Sequence, residues 1–346
     1  MKPNRKSPTM SDVARKAGVS AMTVSRALKA DSVISPETRS AILEAAEELG
    51  YIFHAAASNL RSQRTDFVAV TIPSINNANF ADTVAGLSEI LSGRNMQTLL
   101  GYTNYDVDVE EQLIEQLLRR NPQAIVVTGG HHTARARRLL ENARIPVVET
   151  WDVPDQPIDH YIGFSNADAV RAMVDHFVAV GYRRIAFIGG DAGRDTRGSD
   201  RRRGFLTAMR SHGHDDPCLI AAGAPPISMR EGADAMARLL HDHPDTDAVI
   251  CVSDLSAFGA LTECHRRGIV VPDQIAIGGF GNYEIAGMCV PTLTTIDAHA
   301  REIGLRTGSL ILDLLDGATG TMAIDVKPGL IIRRSSLRET SPRDSQ

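Results

Sequence analysis

Features that mark several common classes of protein are missing from this sequence of 346 residues. Its four cysteines are scattered without a Cys-x-x-Cys spacing, which indicates neither a disulfide framework nor a zinc site. No apolar run approaches the ~20 residues that cross a bilayer, and the segment 1–6 lacks the apolar core of a signal peptide. We therefore expect a cytoplasmic protein with no membrane partner.

Motifs of catalysis and of cofactor binding are also missing. The Gly-rich turn 189–193 lacks the Gly-x-Gly-x-x-Gly spacing of a dinucleotide site, so it is interpreted as a loop. No nucleophile with a neighbouring base is recognisable, and three histidine pairs have no ligand-like neighbours: His131 with His132, His212 with His214, and His241 with His243. The sequence therefore predicts no enzyme, no metal site and no cofactor.

The charges that are present are unevenly distributed. Residues 1–65 contain ten Lys or Arg and six Asp or Glu, a net charge of +4, whereas the remainder has 27 and 36, a net charge of −9. A basic end on an acidic body is typical of a nucleic-acid contact confined to that end. A short segment can also reach a net charge of +4 by chance. The charge asymmetry therefore supports a nucleic-acid contact but is not sufficient evidence for one.

The stretch from Thr9 to Leu28 predicts two short helices joined by a tight turn. Thr9 and Asp12 have the spacing of a reciprocal cap on the first helix. Gly18 suits the left-handed end of that helix, and Ser20 caps the second. The inward-facing residues are Val13, Ala14, Ala17, Val24, Ala27 and Leu28. This pattern is typical of a helix-turn-helix, whose second helix fits the DNA major groove.

A third helix and a linker follow. Ser35-Pro36-Glu37 supplies an N-cap, a proline at the first helical position and an acid, and Gly50 ends the helix. We assign residues 1–50 to this three-helix domain. In the linker, residues 51–65, three alanines and Leu60 support one or two helical turns, too few to be stable alone in water.

The wording from Asp12 to Arg26 resembles the lactose-repressor (LacI/GalR) family of bacterial regulators, whose start reads D-V-A-x-x-A-G-V-S-x-x-T-V-S-R. The resemblance implies a repressor of a near-palindromic double-stranded operator, with a linker that folds on DNA and Leu60 wedged between bases of the minor groove. We expect Arg26 to read base edges and the neighbouring hydroxyls to contact phosphates. The predicted DNA-binding residues are Thr9, Ser20, Ala21, Met22, Thr23, Ser25, Arg26, Lys29, Ala57, Leu60 and Arg61.

From Asp66 onward, short apolar runs alternate with helix-length segments, which predicts doubly wound α/β units with parallel sheets. The predicted strands are 67–72, 97–102, 124–128, 147–150, 185–188, 248–252 and 275–279. The predicted helices are 80–92, 110–120, 167–181, 200–211, 230–242, 254–267 and 298–315. A final strand pair is predicted at 323–326 and 330–333.

The resemblance implies that this body, residues 66–333, is an effector-binding and dimerisation domain. It comprises two Rossmann-like subdomains similar to periplasmic sugar-binding proteins, one formed by residues 66–163 and 296–327 and the other by residues 164–295. The polar tail, residues 334–346, has no leucine heptads for tetramerisation. A homodimer is therefore expected.

Ligands of open α/β sheets bind beyond the C-terminal ends of strands, and polar side chains gather at several predicted ends. Arg197 and Arg201 share a helical face suited to a carboxylate or phosphate, and Arg201 matches the family's effector-contacting arginine. The predicted effector-binding residues are Ser74, Asn76, Asn79, Phe80, His131, Trp151, Arg197, Arg201, Asp254 and Asn282. Two alternatives stay open: Trp151 as a core residue, and Asp254 as part of a helix cap.

The expected ligand is a sugar acid. Gly281 follows Phe280 where sugar-binding members of the family carry an aspartate, and losing a carboxylate while gaining arginines favours an anion. The wording Gly-Phe-Gly-Asn-Tyr-Glu-Ile-Ala at 279–286 resembles the gluconate-utilisation branch, and gluconate or ketogluconate fits both observations. A neutral or phosphorylated sugar, or a solute-binding protein with no regulatory role, is the alternative.

Overall fold

The computed structural model describes residues 7–27, 34–52, 65–190, 195–214 and 217–338. Two compact units divide the chain, Met1–Gln63 and Arg64–Gln346. Five residues with a predicted role lie outside the described ranges: Leu28, Lys29, Ala57, Leu60 and Arg61. Within the described ranges, no helix is long and apolar enough to cross a membrane.

The described residues of the first unit form three helices, α1 (Met10–Lys16), α2 (Ala21–Ala27) and α3 (Pro36–Leu49). The predicted reciprocal cap is confirmed, because the Thr9 amide donates to Asp12 at 2.9 Å and the Asp12 amide donates to the Thr9 hydroxyl at 3.3 Å. Gly18 and Gly50 have φ values of 68° and 63°, the left-handed conformation expected of residues that end helices.

Apolar side chains from all three helices meet in a small core in this unit. Val13, Val24 and Ile42, one from each helix, are fully buried. Ala14, Ala27 and a pair of alanines on α3 fill the space between them. The periodicity of these residues places the polar face of α2 outward.

Twelve strands are formed by the part of the second unit that the structure describes. They are β1 (Phe67–Ile72), β2 (Gln97–Tyr102), β3 (Ile125–Thr128), β4 (Val147–Thr150), β5 (His160–Gly163), β6 (Ile185–Gly189), β7 (Leu219–Ala221), β8 (Ala248–Cys251), β9 (Ala276–Phe280), β10 (Thr294–Asp297), β11 (Ala323–Asp325) and β12 (Gly329–Ile331). The first sheet has the order β11-β5-β4-β3-β1-β2, and all its pairs are parallel. The second has the order β12-β10-β9-β8-β6-β7, in which only β12 is antiparallel.

Helices connect the strands and cover the sheets. They are α4 (Ala78–Ser92), α5 (Val107–Leu118), α6 (Ala134–Glu141), α7 (Asn166–Val180), α8 (Thr196–Ser211), α9 (Met229–Asp242), α10 (Asp254–Arg266), α11 (Glu284–Met288) and α12 (Ala300–Leu315). Strands β4, β6, β8 and β9 are buried along their whole length, as the apolar runs predict. The two sheets with their helices form two subdomains.

Two glycines allow α4 and α12 to approach closely in the first subdomain. A Cβ atom on Gly304 would lie 2.0 Å from the Thr83 carbonyl oxygen, and one on Gly86 would lie 2.5 Å from the Arg301 carbonyl oxygen. Larger side chains at either position would separate the helices. This contact fixes α4, whose N-terminus reaches the site described below.

The end of the chain differs from the prediction. The predicted final strand pair is wrong, because β11 pairs with β5 in the first sheet and β12 pairs with β10 in the second. Strand β10 spans the predicted boundary at residues 295 and 296 and lies entirely in the second sheet. The chain therefore passes between the subdomains three times, after β5, after β10 and after β11.

Candidate functional site

The outward face of α2 is the first candidate site. Ser20, Ala21, Ser25 and Arg26 are exposed, and Met22 is 65% exposed. An exposed methionine beside an arginine on a short helix offers one apolar and one fork-shaped cationic contact. Both are contacts that base edges accept in the major groove.

The hydroxyls around α2 are already engaged in local hydrogen bonds. The Ser20 and Thr23 hydroxyls lie 2.9 Å apart, and the Thr23 amide donates to the Ser20 hydroxyl at 3.1 Å. The Thr9 hydroxyl donates to Asp12 at 2.7 Å on α1. Thr9 therefore already serves as a helix cap. Its predicted contact with DNA stays a prediction.

The second candidate site is a cavity of about 180 Å³ in the second unit. It lies beyond the C-terminal ends of strands from both sheets, where ligands bind to open α/β sheets. The predicted residues that line it are Ser74, Asn76, Asn79, Phe80, Trp151, Arg197 and Arg201. The structure therefore brings seven of the ten predicted effector residues together, from both subdomains.

Two arginines of α8 supply positive charge to the cavity. Arg197 is buried, its Nη1 lies 3.4 Å from the Thr128 carbonyl oxygen, and its guanidinium lies 5.7 Å from the centre of the Phe80 ring. Because Arg197 and Arg201 are four residues apart, they share one face of the helix.

Arg201 is held by neutral groups. Its Nε donates to the Asn166 side-chain oxygen at 2.9 Å, its Nη1 donates to the Val252 carbonyl oxygen at 2.9 Å, and its guanidinium lies 3.5 Å from the centre of the Phe280 ring. Burial lowers the pKa of Arg201 to about 10, which leaves it charged at neutral pH. Among the described residues, no carboxylate forms an ion pair with Arg197 or Arg201.

Trp151 forms an aromatic wall of the cavity. It is 2% exposed, and its indole nitrogen donates to the Thr83 hydroxyl at 3.1 Å. Phe80 and Phe164 contact it edge-on at ring distances of 5.2 and 5.9 Å. Trp151 packs in the core and also lines the cavity, and its contact with an effector stays a prediction.

The other three predicted effector residues do not line the cavity. Asp254 is fully buried, where it accepts hydrogen bonds from the Thr295 hydroxyl at 2.6 Å and the Tyr283 amide at 2.7 Å. Burial raises the pKa of Asp254 to about 6. Its carboxylate holds the loop after β9 in place, while the neighbouring Ser253 caps α10. The predicted ligand contact of Asp254 stays a prediction.

Asn282 and His131 likewise contact protein groups. Asn282 donates to Asp297 at 3.1 Å and accepts from Arg333 at 2.8 Å. The His131 side chain is 64% exposed, and its Nδ1 lies 3.9 Å from a carboxylate oxygen of Asp152. As direct ligand contacts, both stay predictions.

Several lining residues were missed by the sequence reasoning. They include Asn77, Tyr105, Asp195, Ser253, Phe280 and Tyr283. Tyr105 follows the end of β2, a position that the strand-end argument applies to equally. The residues 225–228 follow β7, a strand of three residues with too little pattern to predict.

A second cluster of ionisable groups lies outside the cavity, in the first subdomain. The His132 side chain is 1% exposed, and its Nδ1 lies 2.7 Å from the Glu110 carboxylate. On the other side, its Nε2 is 3.6 Å from Glu149, close enough for attraction but too long for a hydrogen bond. Burial acts to lower the pKa of His132, but the two carboxylates outweigh it and raise that pKa to about 9.

We expect this cluster to make stability depend on pH. Because the pKa of His132 is about 9 folded and 6.5 unfolded, its stabilisation is complete below pH 6.5 and disappears as pH rises through 9. The unfolding free energy should fall by about 3 kcal/mol over that range, measured by urea unfolding at several pH values. H132Q should flatten this slope, whereas H241Q at an exposed histidine should not. Parallel slopes for wild type and H132Q would contradict the assignment.

No group of three or more His, Cys, Asp or Glu side chains in the described part of the chain is arranged to hold a metal ion. The two sites are thus an exposed helix and a cavity that contains two arginines.

Comparison with known proteins assigns the chain to a family. A model described as bacterial regulatory proteins, lacI family, matches residues 9–53, and a periplasmic binding protein-like domain matches residues 174–336. The chain is 36% identical to the HTH-type transcriptional regulator GntR of Pseudomonas aeruginosa, covering 95% of this chain and 96% of that protein. The protein belongs to the LacI family of DNA-binding transcriptional regulators.

Two further relatives support the assignment of this chain to the LacI family. The HTH-type transcriptional regulator IdnR of Escherichia coli is 34% identical over 88% of this chain and 91% of that protein. The crystal structure of a LacI family transcriptional regulator from Silicibacter pomeroyi is 32% identical, with a TM-score of 0.89, over 96% of this chain and all of that one. These relatives are regulators rather than enzymes.

Proposed function

We propose that this LacI-family regulator is a homodimeric repressor whose hold on its operator is controlled by a sugar acid, such as gluconate or ketogluconate, in the cavity. The observation that carries this proposal is the pair Arg197 and Arg201. Arg197 is buried, burial lowers the pKa of Arg201, and no carboxylate of the described residues lies within ion-pair distance of either guanidinium, although Asp195 attracts Arg201 at longer range. Desolvated charges are costly unless paired, so an anionic ligand completes the site.

The remaining lining supports a hydroxyl-bearing chain. Ser74, Asn76, Asn79 and Ser253 supply hydroxyls and amides, and Asp195 adds a carboxylate that also caps α8. Aromatic rings complete the wall. A cavity of 150 Å³ in another protein holds benzene, so about 180 Å³ suits a ligand of roughly six carbons. The similarity to regulators named GntR and IdnR is consistent with the gluconate-utilisation branch that the sequence resembles.

Ligand binding changes the affinity for the operator through the arrangement of the two subdomains around the cleft. A ligand that binds one arrangement of the subdomains more tightly shifts the population toward it. In the dimer, Arg26 of each protomer reads one half-site, and the linker with Leu60 enters the central minor groove. Because an isolated linker of this length is unstable as a helix, a change in dimer geometry is enough to unfold it.

A thermal-shift comparison of matched ligands tests the sugar-acid proposal. Gluconate and glucose have the same number of carbons and differ in the carboxylate. At about 100 times its Kd, gluconate should stabilise the effector-binding body by about 2.7 kcal/mol, which raises its Tm by roughly 4–5 °C. Glucose should give no shift. An equal shift with glucose would contradict the proposal, and a larger shift with glucose 6-phosphate would favour the phosphorylated alternative.

A further inference from the structure

A strained pair of residues lies beside the cavity and is not accounted for by the arginine site. Asn104 and Tyr105 have φ values of 52° and 59°, so two consecutive residues other than glycine are left-handed. For a bulky side chain this conformation is an outlier, and such strain persists only where the surroundings fix it.

The surroundings fix this turn at both ends. The Thr103 amide donates to the Ile72 carbonyl at 2.9 Å, and the Asp106 amide donates to the Thr103 carbonyl at 3.0 Å. The Asp106 side chain then caps α5. The result of the strained turn is that Tyr105 lies in the wall of the cavity.

Tyr105 lies near a hydrogen bond that joins the two subdomains. The Tyr283 hydroxyl, from the loop after β9, donates to the Asn77 side-chain oxygen at 2.7 Å. Asn77 belongs to the first subdomain and caps α4 by accepting from the Asn79 amide at 3.1 Å. Tyr105 lines the same cavity and lies close enough to Asn77 and Tyr283 to interact with both side chains. One hydrogen bond between the subdomains and a second tyrosine beside it therefore meet at Asn77.

The second-subdomain side of this contact is rigidly supported. The Tyr283 amide donates to the buried Asp254 carboxylate, which also holds the Thr295 hydroxyl on β10. Tyr283 itself is 7% exposed. Its hydroxyl reaches Asn77 only while the two strand-end loops are close together, so the hydrogen bond depends on how far the cleft is closed.

We propose that the hydrogen bond between Tyr283 and Asn77, with Tyr105 beside it, forms a clasp across the cleft that stabilises the closed arrangement of the subdomains. These are positioning residues, and their link to a sugar acid rests on the proposed function. By favouring closure, the clasp lowers the concentration of effector needed to fill the cavity. A hydrogen bond of this kind changes an equilibrium by a factor of about 2 to 10.

Hydrogen exchange in the full chain without effector tests the clasp. Y283F removes one oxygen and should speed exchange about 2 to 10 times in the peptides that carry the Asn79 and Tyr283 amides, since protection follows the opening equilibrium. The matched control is Y161F, which loses a 3.0 Å hydrogen bond to Asp325 within the first sheet and should leave those peptides unchanged.

The same variants separate this proposal from the sugar-acid proposal. If wild type binds gluconate, Y283F should raise its Kd while Y161F does not. Failure of wild type to bind gluconate would overturn the proposed ligand, and the exchange measurement would still decide on the clasp. Exchange in Y283F equal to wild type, or equal acceleration in Y161F, would overturn the clasp.

Discussion

Replacing Arg201 with alanine is expected to abolish the response of operator binding to gluconate. The variant removes a guanidinium that lies against Phe280 and is oriented by Asn166 and Val252. Leaving a ligand carboxylate in the cavity without its partner costs about 2–5 kcal/mol, a loss of about 30- to 5000-fold in affinity. A gel-shift titration with gluconate measures the response.

Two variants make the Arg201 experiment specific. R201K keeps the charge but loses the fork, so it should recover only part of the affinity. R203A, on the same helix, removes an exposed arginine that pairs with Asp200, and it should respond normally. A normal gluconate response in R201A would remove Arg201 from the site. Unchanged thermal unfolding without ligand would show that each variant is folded.

Replacing Arg26 with alanine is expected to destroy discrimination between operator and unrelated DNA. A base-reading arginine contributes about 1–3 kcal/mol, and the proposed dimer uses two, so specific binding should weaken by about 2–6 kcal/mol. Affinity for unrelated duplex, which depends on phosphates, should change much less. Both affinities are measured at one salt concentration, with a duplex selected by the wild-type protein.

The control for Arg26 is another exposed arginine of the same unit. Arg15 lies on α1, is 76% exposed and pairs with Asp12. R15A removes the same charge, so it should weaken specific and unrelated binding to a similar extent and preserve their ratio. If R26A also preserved that ratio, base reading would have to come from other residues.

The helix-turn-helix was predictable because its signals are local. Thr9 and Asp12 are three residues apart, and Gly18 ends the helix that they begin, so sequence spacing determines the contacts. The apolar strands of the body were equally visible. Strands β5, β7 and β10 were not predicted, because β5 and β10 each contain a single aliphatic residue and β7 has only three residues. The partners of β11 and β12 are separated from them by long stretches of chain.

The cavity was predictable in its charge but not in its full geometry. Arg197 and Arg201 follow from helical spacing and from the family resemblance. Asp254 also stands at a strand end, yet the loop that covers it comes from residues nearly thirty positions later, which no local pattern reveals. Tyr105 depends on a left-handed pair that sequence preferences disfavour, so its place in the wall is a product of the surrounding fold.

Because β11 and β12 are edge strands from the end of the chain, the two sheets can be completed only after the first unit has been synthesised. The helices α1, α2 and α3 lie within the first 49 residues, so they leave the ribosome while most of the chain is untranslated. The sheets, in contrast, are completed only near the end of synthesis, the first by β11, which begins at Ala323, and the second by β12, which begins at Gly329. A polypeptide that stops before Ala323 therefore carries a finished DNA-reading unit on a body with an exposed edge in each sheet, and such edges promote aggregation.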